Sequence, residues 1–366
     1  MNRRELIFLG TLLLAQGANA ATTQEQLPSD VSQQIQERID EGYHLGTVIG
    51  VIDETGSRYY SFGKMSLASD EEPDENSIFE IGSITKCFTA LLVADLELDG
   101  KLSVTDPIDK YVPAFKDVMK GSDRTITLES LMTHTSGLPR NPLNTDPNDD
   151  DRYKNYSVGD LQSFLENYSV GSSEAGYSYS NAGILILEHA IETKLGKSYE
   201  ELMTSRVLAK LGMNDSFFDV PKGRADDIVI GFRDGVETDA VDVGNFPAMG
   251  GLRSTARDML KFLGAQIGLI PTSLSDAIAA THDERYADEN LVLSLGWRIS
   301  HREESGKTIY NFTGGTTGFV SFAAFDLENR KGVVVLVNGR RWFSDLGFRI
   351  LDSTSPLNDP DTLQTQ

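Results

Sequence analysis

Phe79-Glu80-Ile81-Gly82-Ser83-Ile84-Thr85-Lys86 runs straight into an apolar series, Phe88, Leu91, Leu92, Ala94 and Leu96, that stops at Gly100. The spacing predicts a helix that opens at Ser83, just after a glycine. On it Ser83 and Lys86 stand three apart, so hydroxyl and amine share one face. The hydroxyl also lies at the positive end of the helix, where backbone N–H groups stabilise developing negative charge. A second Ser-x-x-Lys, Ser61-Phe62-Gly63-Lys64, sits in an aromatic run that reads as a strand with no helix behind it. Only the first copy has nucleophile geometry.

Two more short motifs follow in order, Tyr179-Ser180-Asn181 and Thr313-Gly314-Gly315-Thr316. With the opening block Phe79 to Lys86, and with Leu131-Met132-Thr133-His134-Thr135-Ser136-Gly137-Leu138-Pro139, Leu211-Gly212-Met213 and Gly250-Gly251-Leu252-Arg253-Ser254-Thr255, they make six ordered blocks. In these blocks the chain resembles the serine β-lactamase and penicillin-binding protein superfamily, in its class C-like branch of β-lactamases, DD-peptidases and esterases. One fold and one motif set carry several chemistries there. The resemblance implies an acyl-enzyme on Ser83, with the backbone N–H groups of Ser83 and Gly315 as the oxyanion hole. It also implies substrate contacts at Asn181, Thr313, Gly314 and Gly315.

The chemistry asks for a base, because a serine hydroxyl is too weak an acid at neutral pH. Lys86 serves if burial lowers its pKa, and Tyr179 is the second candidate as a phenol beside a lysine. The pattern does not choose between them. Asn181 is expected to hold Lys86 and to bond the substrate amide. His134 reads as a turn-stabilising residue, and Arg253 as a brace rather than a substrate contact. The family usually carries Lys or His before Thr-Gly of the third motif; here Phe312 stands instead. That change favours neutral esters, and Arg340 or Arg341 are the cations at hand to compensate.

The predicted fold class is α+β: an antiparallel sheet flanked by N- and C-terminal helices, with a large mostly helical insert. Residues 31–39 read as an amphipathic helix, and 46–51 with 58–62 as a hairpin over Asp53-Glu54-Thr55-Gly56. Residues 293–301, 308–312, 320–326 and 333–338 read as strands of the same sheet, and 343–351 as a covering helix. Helices are expected at 158–168, 182–194, 199–211 and 255–263, with Ser180 or Asn181 capping the second. Residues 21–366 form one catalytic unit, with an α/β lobe at about 30–106 plus 289–352 and a helical lobe at about 107–288.

Residues 1–20 read as an export signal: Arg3 and Arg4, an apolar core at 6–15, then Ala18-Asn19-Ala20 as the cleavage site. The apolar stretch is too short to span a bilayer, so no membrane anchor is expected, and the destination is the periplasm or the medium. The chain carries a formal net charge of −22. Such acidity argues against nucleic acid and anionic membranes as partners, and for a soluble monomer acting on a small molecule or a peptidoglycan fragment. Cys87 is the single cysteine, which excludes an intrachain disulfide. Neither a Gly-x-Ser-x-Gly elbow nor a His-Glu-x-x-His pair occurs, and no cofactor or metal is expected. The enzyme reading is β-lactamase or D-Ala-D-Ala carboxypeptidase-like. The alternatives are a carboxylesterase and a non-catalytic peptidoglycan-binding relative.

Overall fold

A computed structural model describes residues 26–118, 125–169 and 176–359. The export segment read at 1–20 lies outside the described residues.

The two ends of the chain meet in one sheet. Strands β1 (His44–Asp53) and β2 (Gly56–Gly63) share a sheet with six strands from the C-terminal part. These are β3 (Glu284–Ala287), β4 (Val292–Ser294), β5 (Arg298–His301), β6 (Thr308–Gly315), β7 (Val320–Asp326) and β8 (Lys331–Gly339). Their order is β2-β1-β8-β7-β6-β5-β4-β3, and the pairs are antiparallel. The central register sets Ile49 against Val335 and Val335 against Phe322.

Period-two alternation in these strands feeds two cores. Ile49, Val51, Phe322, Ala324, Val333, Val335 and Val337 point to one face. There Val31 and Ile35 of helix α1 (Ser29–Asp40) cover them, with Leu346 and Ile350 of the C-terminal helix Ser344–Leu351. The two helices are locked together by Arg38, whose guanidinium forks onto Asp345 at 3.2 and 2.5 Å in a fully buried pair. Val48, Ile52, Phe312, Ala323, Phe325, Val334 and Leu336 point the other way. They meet α2 (Thr85–Leu98) and the helix Ala256–Gln266, where Phe88 stacks on Phe262 at 4.0 Å. A strand sequence as apolar as Val333-Val334-Val335-Leu336-Val337 is what two-sided burial demands.

Three expectations change. The run 293–301 is not one strand: Ser294 N–H bonds the Trp297 carbonyl at 3.0 Å and the chain reverses between β4 and β5. Trp297, buried against Phe262 and Phe325, keeps the apolar pattern unbroken through the turn. β3 adds a strand in a span whose pattern does not announce one. The helix expected at 199–211 forms as Tyr199–Met203, a π-helical turn Thr204–Leu208, and Ala209–Leu211.

The close contact that shapes the site is between β6 and the chain entering α2. A β-carbon on Gly314 would lie 2.0 Å from the Ile81 carbonyl oxygen and 2.4 Å from Ser321 Oγ. Backbone and hydroxyl cannot both retreat, because Ser321 Oγ donates to that same carbonyl at 2.8 Å. Gly314→Val is therefore expected to cost about 3 kcal/mol or more, by overpacking. A urea melt checks it; a midpoint equal to wild type would contradict the packing.

Candidate active site

Ser83 is held in a short 3-10 turn, Gly82–Ile84, that leads directly into α2. Thr85 Oγ1 pins the turn by donating to the Gly82 carbonyl at 2.7 Å. One helical step on, Lys86 is almost wholly buried, and its Nζ bonds Ser83 Oγ at 3.0 Å. Its other hydrogen bond goes to the Met249 carbonyl. Tyr179 enters from the opposite side, its Oη 2.6 Å from Ser83 Oγ. Ser180, the next residue, caps helix Asn181–Leu195 by accepting from Gly183 N–H at 2.9 Å. That cap fixes the Tyr179 backbone at the helix mouth.

Burial sets the protonation of the pair. It lowers the Lys86 pKa to about 7, with the Arg140 charge adding to the shift. It raises the Tyr179 pKa to about 12, against the opposing pull of the Ser83 hydrogen bond and of Arg140 and Arg298. Near neutral pH the phenol keeps its proton and the amine is half deprotonated. Of the two bases the sequence leaves open, Lys86 is the one able to accept a proton there.

His134 lies under this apparatus. It takes a left-handed conformation, φ 59°, in the turn the sequence assigns to it. Its ring lies 4.4 Å from that of Tyr179, Nδ1 accepts from Ser180 N–H at 3.2 Å, and its carbonyl accepts from Ser178 N–H at 2.8 Å. Burial lowers its pKa to about 3, so Nδ1 stays an acceptor. Arg253 is a brace, as read: it donates to the carbonyls of Phe218 and Val241 and pairs with Glu80. Cys87 is buried, with its thiol on the Gly296 carbonyl and its pKa pushed well up by burial.

Ser83 opens onto a cleft of about 230 Å³. Asn181, Gly315, Thr316 and Thr317 line it. Asn181 does not hold Lys86, as the sequence suggests; its amide meets that of Asn141 at 3.0 Å, and Met249 takes the lysine. Thr313 borders a different depression, with Asn311, Phe322 and Phe348. Gly314 is buried against Ile81 and provides the close approach rather than a wall of the cleft. Phe312 turns into the core beside α2 and adds no charge. Of the two arginines proposed to compensate, Arg340 lines the cleft, whereas the Arg341 guanidinium lies 3.7 Å over the Tyr43 ring.

Sequence reasoning missed the Met249 carbonyl, which has no side-chain signature, and Glu188 behind it. The Glu188 carboxyl accepts from Ala248 N–H at 2.9 Å, steadying the turn Pro247–Met249, while its other oxygen has no partner. Burial raises its pKa well above the usual value, so folding favours the protonated acid. Stability is then full below the unfolded-state pKa and declines as pH rises above it. Glu188→Gln is expected to match wild type near about pH 4 and to melt at a higher temperature near about pH 8. Thermal melts at both values check the sign.

Against this geometry, the family model described as Beta-lactamase matches residues 31–350. A β-lactamase of Psychrobacter immobilis is 26% identical, with 91% of this chain and 88% of that protein covered. The D-alanyl-D-alanine-carboxypeptidase/endopeptidase AmpH of Escherichia coli K12 is also 26% identical, over 92% and 91%. The crystal structure of a class C β-lactamase from Rhodobacter sphaeroides superposes with a TM-score of 0.74 at 26% identity, covering 85% of this chain and 94% of that one. The chain belongs to the β-lactamase family, as a serine hydrolase of the class C β-lactamase and DD-peptidase type. Among the described residues no helix is long and apolar enough to cross a membrane.

Proposed function

We propose that the protein is an exported hydrolase that forms an acyl-enzyme on Ser83 and cleaves β-lactam or D-Ala-D-Ala-type amides. The observation that carries this reading is Ser83 Oγ held between Lys86 at 3.0 Å and Tyr179 at 2.6 Å at the floor of an open cleft. When Lys86 is neutral its bond to Ser83 reverses: Oγ donates to Nζ while Tyr179 donates to Oγ. The Oγ–carbon bond forms as the serine proton passes to Lys86. The N–H groups of Ser83 and Gly315 receive the developing oxyanion, each worth on the order of 3 kcal/mol. On collapse the bond to the leaving group breaks, and Tyr179 supplies the proton that the leaving nitrogen needs. The Lys86 ammonium restores the phenol. Water then repeats the sequence against the ester, releasing the acid and free Ser83.

The β-lactamase and D-alanyl-D-alanine-carboxypeptidase names of the relatives support the amide reading. Phe312 supports a second, a carboxylesterase for neutral acyl groups. Export rests on Arg3, Arg4, the apolar run after them and Ala18-Asn19-Ala20. The test is turnover of a chromogenic cephalosporin, a peptide ending in D-Ala-D-Ala and a short-chain nitrophenyl ester. Cleavage of the cephalosporin or the peptide supports the first reading; cleavage of the ester alone supports the second and overturns the first.

A further inference from the structure

The Met249 carbonyl that takes Lys86 belongs to a turn, Pro247–Met249, whose backbone is gripped from two helices. From α2, three residues after Lys86, Thr89 Oγ1 shares its proton between the carbonyls of Thr85 and Ala248, each at 3.1 Å. Tyr199 Oη lies 2.7 Å behind that hydroxyl. From the helix Asn181–Leu195, Glu188 accepts the Ala248 N–H at 2.9 Å. The Ala248 peptide groups are thus held on both sides, one residue before the carbonyl that meets Nζ. Glu188 is an expensive way to hold an N–H. It is wholly buried among Ile184, Leu187 and Ile191 of its own helix, and one of its oxygens has no partner. A buried polar atom left unpaired costs free energy that an apolar side chain would not.

The use of that acceptor lies in the amine. A neutral lysine has two N–H bonds and one lone pair. A carbonyl that takes one N–H fixes rotation about the Cε–Nζ bond and leaves the lone pair for Ser83 Oγ, 3.0 Å away. Resting on the reading of Lys86 as the base for Ser83, we propose that Glu188 is a positioning residue for the reaction: through the Ala248 N–H it aims the Met249 carbonyl at Nζ, with Thr89 as the opposite jaw. The same carbonyl favours the ammonium over the amine, against the burial that disfavours it. Around Lys86 the other charged and titratable groups are Tyr179, with its ring centre 5.1 Å from Nζ, Arg140, His134 and Cys87 on its own helix. Around Glu188 they are Glu192 on its own helix, Glu200 and Tyr199.

The test is the pH dependence of fluorophosphonate labelling, followed on the mature protein and on Glu188→Met, Glu188→Gln and Thr89→Val. Glu188→Met keeps the length of the side chain and leaves the Ala248 N–H unheld. Its rising limb is expected to move down by about one pH unit, the worth of a hydrogen bond to a charged group, and its plateau to fall about tenfold. Glu188→Gln, whose amide oxygen accepts the same N–H, should recover both midpoint and plateau. Thr89→Val should move the limb the same way by a smaller amount, and it decides the matter if Glu188→Met does not fold. A side chain that merely packs would change the melting temperature and leave the midpoint in place. A midpoint equal to wild type in the folded variants therefore overturns the proposal for Glu188 alone. Wild-type protein that takes no label, or labels at a rate independent of pH, overturns the Ser83 and Lys86 reading on which it rests.

Discussion

Ser83→Ala is expected to lower kcat on whichever substrate proves active by on the order of 10⁴- to 10⁶-fold, the scale seen when a nucleophile that acts as part of a unit is removed. The fold should not pay for it. Among the described residues Ser83 Oγ hydrogen-bonds only Lys86 and Tyr179, and these two retain their burial and, for Lys86, the Met249 carbonyl. A melting temperature within a few degrees of wild type would accompany the loss, measured on the same preparation. Turnover within about tenfold of wild type would mean that another group attacks the substrate.

Lys86→Met is the second large effect, about 10²- to 10⁴-fold in kcat for loss of a general base. It carries a signature that a merely damaged protein lacks. Lys86 must be neutral to accept the Ser83 proton, and its pKa stands at about 7. The wild-type rate should therefore climb as pH rises through about 7 and level off above it, and the variant should lose that limb. Stability should move the other way. A lysine whose pKa drops from 10.5 to about 7 on folding carries a charge-burial cost at neutral pH of roughly 5 kcal/mol. Methionine removes that cost and leaves the Met249 carbonyl unpaired, a penalty of about 1 to 3 kcal/mol. The net sign is stabilising, so the dead variant should melt higher than wild type near neutral pH. A flat wild-type pH profile between about 6 and 8 would exclude Lys86 as the base.

The features that define the fold were legible because they obey short-range rules. Val333-Val334-Val335-Leu336-Val337 can only be a strand buried on both faces, and the hairpin at Asp53-Glu54-Thr55-Gly56 supplies its neighbour from the other end of the chain. Ser83 and Lys86 were legible because helix geometry brings them to one face, and the N-cap was legible to within one residue, Ser180 or Asn181, of which the fold uses Ser180. What stayed hidden depends on tertiary approach. Nothing in Pro247-Ala248-Met249 marks the Met249 carbonyl as the acceptor for a lysine 163 residues away. Asn181 was assigned the task that this backbone oxygen performs. Arg140 follows its motif by one residue, yet only the folded chain sets its guanidinium over Tyr179. Trp297 misled by being apolar in a turn, where its burial comes from Phe262 and Phe325 rather than from a strand.

Peptide mapping of the protein after fluorophosphonate treatment bears most directly on the whole mechanism. One modified residue is predicted, Ser83, with labelling that strengthens as Lys86 loses its proton. A tag on Ser61 or Ser136 instead, or an active enzyme that refuses the reagent, would contradict it.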